Sequence, residues 1–346
     1  MFETERGVMS SYYNGTAVVI YSREATILAA FCAILFCVVG VIGNLVTVIA
    51  LVRCPKLRVH ATTAFVLSLC LSDLIFCLIN LPLTAARYIY QAWVFGDALC
   101  KLFPVLFYGN VAVSVLNMVA ITLNRYVLIS CQLYYNCLYS KISIWIQLVF
   151  IWVFAFLLMM PPLLGIWGQL GLNPSTFSCT ILRKDDKSPK KMIFLIGFIL
   201  PCVVIIAAYS CIYYSVVKSA RKLKSHRQTG DKKTPSRRER DDSRLTKLMA
   251  LIFLCFLICF LPLMLCNVLD DIDIKYPTLH VLASIAAWAS SVINPFIYAA
   301  SNRQYRKAYS KLFTMVKSSV AFSDSRHNSN NIRLDRSKPN NSATQS

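Results

Sequence analysis

The chain has 346 residues, of which 57% are apolar and only 15% charged, and its mean hydropathy is +0.56. A soluble globular domain carries about 25% charged residues, so that class is excluded. The formal net charge of +20 raises nucleic acid as a partner, but its distribution assigns it to membrane orientation and attraction to anionic membrane lipids, with no nucleic acid expected.

Apolar runs long enough to cross a bilayer recur at 27–52, 63–86, 98–130, 142–164, 191–217, 246–268 and 277–300. They are continuously apolar and lack the polar alternation of barrel strands. The expected fold class is therefore an all-α membrane protein, a seven-helix transmembrane domain over 27–300. With the N-terminus outside, the cytoplasmic segments hold 26 of the 36 Lys and Arg residues, 12 in 218–247 and nine in 303–346, in line with the positive-inside rule. The loop carrying Arg183, Lys184, Lys187 and Lys190 runs partly against it. Seven spans then place the C-terminus inside, and the expected location is the plasma membrane.

Residues 1–26 read as an extracellular segment without an apolar signal core, so the first span serves as its own insertion signal. Asn14-Gly15-Thr16 is a glycosylation acceptor in that segment. In the second span, Asp73 is the only carboxylate deep in the bundle. A charge at that depth is costly and needs donors or a cation. The candidates on other helices are Asn44, Asn110, Ser114, Ser290, Ser291 and Asn294; Asn110 with Ser114, and Ser290 with Asn294, are four apart and share a face. Such a ring reads either as a Na⁺ site or as a satisfied hydrogen-bond network without an ion, and the residues alone leave both open. No other cofactor is indicated, and four scattered histidines make no metal site.

Of the 14 cysteines, most lie inside apolar runs, where they pack as small hydrophobes. Cys100, opening the third span, and Cys179, in the second extracellular loop, share the oxidising side. A bridge between them pins that loop over the mouth of the bundle; the alternative is two unpaired thiols. Phe107 lies 18 residues before Arg125, about five helical turns and ~27 Å along one face, which places it in the outer cavity. By helix face, Tyr108, Val111, Met264, Asn267, Ser284 and Trp288 join it in a mostly apolar pocket suited to a small apolar or lipid-like ligand. The same aromatic spacing also fits plain packing.

At the cytoplasmic end of the third span, Arg125 within Asn124-Arg125-Tyr126 either snorkels to lipid phosphates or forms a latch to another helix, with Asp242 at the foot of the sixth span as the obvious acid. Pro201, Pro262 and Pro295 fall inside the last three spans, where each removes a helix hydrogen bond and permits a hinge. Beyond the seventh span, Tyr305, Ala308, Tyr309, Leu312, Phe313 and Val316 follow helical spacing, predicting an amphipathic membrane-surface eighth helix over 301–316. Residues 317–346 are polar and serine-rich, which predicts a disordered cytoplasmic tail open to phosphorylation.

These residues, taken together, resemble a rhodopsin-like (class A) G-protein-coupled receptor over about 27–314. The resemblance is carried by Gly43-Asn44, Leu69 to Asp73, Cys100 with Arg125, Trp152, Pro201 with Tyr209, Cys259-Phe260-Leu261-Pro262 and Asn294-Pro295-Phe296-Ile297-Tyr298. It implies that the Asp73 ring is a sodium-linked network and that Phe256 with Phe260 forms an aromatic switch below the ligand. It also implies that Tyr209 and Tyr298 swing inward on activation and that Arg125 engages a heterotrimeric G protein, whose nucleotide exchange is accelerated. Arrestin and receptor kinases are implied at the serine-rich tail. Asn124 replaces the family's usual acid beside Arg125, leaving restraint to Asp242, and Phe260 stands where tryptophan is usual. The pattern looks most like the trapped-in-endoderm and moody group of invertebrate receptors, with melatonin-type receptors more distant. That group implies a role in cell migration or barrier formation. By the same resemblance, Phe107 in place of a carboxylate disfavours an amine ligand, and Trp288 in place of a lysine disfavours retinal.

A membrane transporter or channel is the competing class, but the chain shows no internal repeat and only one midplane carboxylate. An enzyme is not expected, since no nucleophile–base constellation, paired carboxylates or metal motif is present.

Overall fold

The computed structural model describes residues 11–13, 16–18, 21–54, 60–185, 187–226, 237–269, 276–312 and 314, with backbone only at 11–13, 16–18, 175, 219–226, 237–242, 268 and 269. Asn14, Phe313, Val316 and the tail lie outside the described residues, as does the side chain of Asp242.

Seven helices are long and apolar enough to cross a membrane: α1 (Arg23–Arg53), α2 (Ala61–Tyr90), α3 (Gly96–Ser130), α4 (Lys141–Leu163), α5 (Lys190–Lys218, continuing helically to His226), α6 (Arg237–Leu269) and α7 (Pro277–Ser301). The expected spans differ from these by a few residues at each end, where polar caps extend the helices past the apolar runs. Ser22 caps α1 by accepting from the Ala25 N–H, and Ser140 caps α4 by accepting from the Ser143 N–H. An eighth helix, α8, covers 303–312. It buries Tyr305, Ala308 and Leu312 and exposes Arg303, Arg306, Lys307 and Lys311, the two-faced pattern of a surface helix. Arg306 donates to the carbonyls of Ala299 and Ala300, closing the end of α7. The Tyr309 hydroxyl, whose pKa burial pushes up to about 12, bonds Thr47 of α1 at 2.9 Å.

A short helix, Gln132–Leu138, lies between α3 and α4, and two antiparallel hairpins are also present. β1 (Ser11–Tyr13) pairs with β2 (Thr16–Val18), and β3 (Gln169–Asn173) pairs with β4 (Ser178–Leu182) between α4 and α5.

Two helices widen into a π-turn ahead of a proline. A π-turn at Phe76–Asn80 precedes Pro82 in α2, and another at Leu195–Ile199 precedes Pro201 in α5. Proline has no N–H to give to the carbonyl four residues back and crowds it, so the widened turn absorbs the fault. Pro201 thus appears as a change of helical pitch, while Pro104, Pro262 and Pro295 sit inside continuous α-helix.

The interior is shared by α3, α2 and α7, and α4 is the least buried of the seven. Trp152 of α4 donates to Ser68 of α2 at 3.0 Å. Gly40 of α1 lies where α1 meets both α2 and α7: a side chain there would strike Cys77 Sγ in the π-turn and come within 3.2 Å of Val292. Small residues permit such close helix contact in a membrane. Gly40→Val is expected to cost about 1–3 kcal/mol through overpacking, read as a lower melting temperature of the purified protein; an unchanged melting temperature refutes the tight contact.

Candidate functional site

Cys179 on β4 is bonded to Cys100 at the start of α3, with their Cα atoms 5.2 Å apart. The bridge ties the β3–β4 hairpin across the Cys100 end of the bundle. It brings Ile181 over a cavity and lets Thr180 meet the Tyr108 hydroxyl at 3.3 Å.

The space there, counting the part open to solvent, is about 630 Å³. Tyr108 and Val111 of α3, Met159 of α4, Lys190, Phe194, Gly197 and Phe198 of α5, and Met264 and Asn267 of α6 line it. Four of the seven expected pocket residues, Tyr108, Val111, Met264 and Asn267, are among its lining. Phe107, Ser284 and Trp288 are not. The Phe107 ring packs between Phe76 at 5.3 Å and Phe103 at 6.1 Å. Trp288 is 1% exposed and meets Tyr88 edge-on at 5.9 Å. The Ser284 hydroxyl turns back to the His280 carbonyl at 2.8 Å. Aromatic packing between α2, α3 and α7 claims these faces, and the space lies instead toward α4 and α5, where Gly197 contributes no side chain.

Beneath the cavity Phe256 and Phe260 stack at 5.1 Å with rings 13° apart. Phe198 of α5 closes on them at 6.1 and 6.3 Å. Sequence reading had no signal for Phe198, one aromatic among many in an apolar run.

The far side of this stack borders a second, small polar cavity. Asp73, Asn110, Ser114, Ser290, Ser291 and Asn294 all line it, together with Phe256 and Phe260, and Val111 borders both cavities. Asn294 donates to an Asp73 carboxylate oxygen at 2.8 Å. The hydroxyls of Ser72 and Ser114 meet at 2.9 Å, and Ser290 donates to the Ala287 carbonyl at 2.6 Å. Asn44 is the expected member that lies apart, its amide donating to the carbonyls of Gly40 and Ser291 at 3.0 and 2.9 Å. It ties α1 to α7. Both polar side-chain atoms of Asn110 are buried without a hydrogen-bond partner, which a polar cavity occupant would answer. A carboxylate with hydroxyl and amide oxygens is a donor set that fits a hard cation such as Na⁺.

At the other end of α3, Arg125 is fully buried. Its guanidinium donates to the Thr62 hydroxyl of α2 and to Asn124 Oδ1, the latter at 3.2 Å, and Thr62 in turn donates to Asn124 at 2.8 Å. The sequence pointed to Asp242 as the partner, whose side chain lies outside the described residues, and missed Thr62, a neutral residue that only a fold brings near. Tyr126 is half-buried and Pro262 lies on the exposed side of α6. Tyr298 is fully buried and stacks on Tyr305 of α8 at 4.9 Å, while Tyr209 of α5 is half-buried.

The family model described as 7 transmembrane receptor (rhodopsin family) matches residues 43–298. The chain belongs to the rhodopsin family of seven-transmembrane receptors. The receptor is 54% identical over 314 residues to Protein trapped in endoderm-1 of Drosophila melanogaster, covering 86% of this chain and 80% of that one. It is 34% identical over 346 residues to G-protein coupled receptor moody of the same species, covering 84% of this chain and 51% of that one. A melatonin receptor type 1B-B of Danio rerio follows at 30%, covering 87% and 86%. The receptor therefore falls with the expected group. The crystal structure of squid rhodopsin shares its fold with a TM-score of 0.72 at 22% identity, covering 88% of this chain and 92% of that one. Family and spans together make it a multi-pass plasma-membrane receptor, not an enzyme.

Proposed function

We propose that the receptor converts binding of a small, lipid-like ligand from outside the cell into nucleotide exchange on a cytoplasmic heterotrimeric G protein. The observation that carries this reading is the stacking of two cavities through one aromatic floor. Phe198 lines the apolar cavity and packs on Phe256 and Phe260, which line the polar cavity holding Asp73 and Asn294. An occupant of the first cavity presses on side chains that border the second, and α7 leads from Asn294 through Pro295 to Tyr298, which stacks on Tyr305 of α8.

The Cys100 end faces outside in this reading, because its disulfide belongs to an oxidising compartment and the basic 218–247 segment belongs inside. The N-terminus is then extracellular and the C-terminus cytoplasmic. Mechanistically the ligand shifts a population: it must bind the active bundle more tightly than the resting one. Tyr209, Tyr298 and the hinge at Pro295 supply the moving parts, and Arg125 the contact for the G protein. The serine-rich tail serves receptor kinases and arrestin. A role in cell migration or barrier formation, implied by the resemblance to the group that holds these two relatives, is part of this reading.

In the polar cavity, Asp73, Asn110, Ser114, Ser290 and Ser291 would hold Na⁺, whose positive charge compensates the Asp73 carboxylate and favours the resting packing. The test is nucleotide exchange by the full chain across a panel of Gα subunits, with NaCl exchanged for KCl at constant ionic strength. Exchange on one or more subunits is expected, rising as Na⁺ is removed, and Asp73→Asn is expected to erase that cation dependence. Exchange on no subunit, with or without lipid extracts added, sinks the receptor-coupling reading; dependence that survives Asp73→Asn sinks the sodium site.

A further inference from the structure

Toward the Cys100 end of the bundle the apolar cavity is roofed. Leu170 of β3 and Ile181 of β4 form one buried cluster with Val105 of α3 and Met159 of α4, and the disulfide and the Thr180–Tyr108 bond hold that hairpin down. On the side of α1, α2 and α7 the rings of Tyr21, Tyr88, Phe177 and Trp288 interlock at centroid distances of 5.2 to 6.4 Å, with the Arg87 guanidinium 4.6 Å over Tyr88. On the side of α6, Phe198 closes on Phe256 and Phe260.

The wall between α4 and α5 is built differently. Among the described residues α4 runs close along α3 and α2 but stands off from α5. Leu158 of α4 and Gly197 of α5 both line the cavity, and both are only half-buried, so the cavity reaches the outer surface of the bundle between them. A side-chain carbon built at Gly197 would meet Leu158 at 3.8 Å; glycine supplies none, and the space stays open. Gly197 is also the middle residue of the π-turn at Leu195–Ile199, a distortion that recurs at functional sites. Leu157, Leu195 and Leu200 beside it are exposed, the face a helix turns to lipid. Gly197 lies seven residues after Lys190, which opens α5, about two turns and ~10 Å deeper along the helix. At that depth the neighbour is acyl chain rather than water.

We infer that the ligand is an amphiphile dissolved in the outer leaflet, which enters the cavity sideways between α4 and α5, its hydrocarbon chain passing between Leu158 and Gly197 and its polar group staying level with Lys190 and Asn267. This rests on the reading of that cavity as the ligand site. The depth of the opening sets the selectivity: an acyl chain passes from one apolar surrounding to another, whereas a polar solute would have to shed its water to take the same route. It also explains the sparse polar lining, since Tyr108, Lys190 and Asn267 are met only by the polar group.

The full-length receptor in phosphatidylcholine nanodiscs is photolabelled with two probes, a monoacylglycerol carrying a diazirine in its acyl chain and a membrane-impermeant diazirine sulfonate, and the labelled residues are mapped by mass spectrometry. The lipid probe is expected to label Ala112 and Met264, which are buried and line the cavity, as well as the exposed Leu157 and Leu200; the sulfonate is expected to label none of the four. Gly197→Trp and, from the other wall, Leu158→Trp are each expected to slow labelling of Ala112 and Met264 by about 10-fold or more, while Leu157 and Leu200 label as before. Illumination at successive times after mixing separates a blocked route from an indole that fills the cavity, which lowers the final extent of labelling and leaves its rate. Labelling of Ala112 and Met264 by the sulfonate, no labelling of them by the lipid probe, or an unchanged rate in both variants overturns the inference. Melting curves identify a variant that fails to fold, and the comparison of the two probes on the unmodified receptor decides without it. Nucleotide exchange in the same nanodiscs separates the two readings: exchange without lateral entry removes this inference alone, and lateral entry without exchange on any Gα subunit removes the receptor-coupling reading alone.

Discussion

Arg125→Ala is expected to reduce G-protein nucleotide exchange by about 100-fold or more at unchanged surface density, the range for removing one side of a desolvated charged contact. The physical reason lies in how Arg125 is stored. It is fully buried, and its described partners are the neutral oxygens of Thr62 and Asn124. A partner offering backbone carbonyls or a carboxyl terminus competes with these oxygens for the guanidinium donors. Alanine removes that attraction while leaving Thr62 and Asn124 bonded to each other at 2.8 Å, so the bundle keeps its packing there. Exchange within a few-fold of the unmodified receptor, measured on the most responsive Gα subunit, would mean that the G protein does not read Arg125.

Cys179→Ser is expected to remove most of the receptor from the cell surface. The Cys100–Cys179 bridge closes a stretch of 79 residues, and loss of a native bridge of that kind costs about 2–5 kcal/mol, a large share of the ~5–15 kcal/mol that holds a folded domain together. Besides stability, β4 loses its anchor, so Thr180 leaves the Tyr108 hydroxyl and Ile181 leaves the cavity wall. Cys100→Ser and the double variant should match Cys179→Ser, since all three lack the same bond. Surface labelling of an epitope-tagged chain checks this. Full surface density in either single variant, or a double variant far worse than both, would show that the bridge is not what holds the loop.

The seven spans were legible because a bilayer imposes length and apolarity on contiguous sequence, and neither needs knowledge of neighbours. The polar ring was nearly as legible: Asp73, Asn110, Ser114, Ser290, Ser291 and Asn294 converge on one cavity, because an isolated polar residue in an apolar run has few places to go. Asn44 was assigned to the same ring on that argument, yet it spends its amide on the backbone of α1 and α7, a choice fixed by helix contact and invisible in spacing. The lining of the apolar cavity was legible only in part. Helical periodicity identifies which residues share a face, and so found Tyr108, Val111, Met264 and Asn267. Which neighbour each face meets depends on how helices are rotated, and there Phe107 and Trp288 went to aromatic packing. Thr62, Phe198 and Arg87 carried no local signal, since a threonine, a phenylalanine and an arginine at a helix end are unremarkable until the fold gives them partners.

The π-turn at Phe76–Asn80 has a consequence for how such receptors diverge. A π-turn amounts to one extra residue in an α-helix, and one residue is about 100° of rotation. Asp73 lies on one side of this insertion and Arg87 on the other. Losing a single codon there would leave the polar cavity in place while swinging Arg87 and Tyr88 to another face of α2. One insertion or deletion at this turn therefore re-aims the outer half of α2 without disturbing the residues around Asp73.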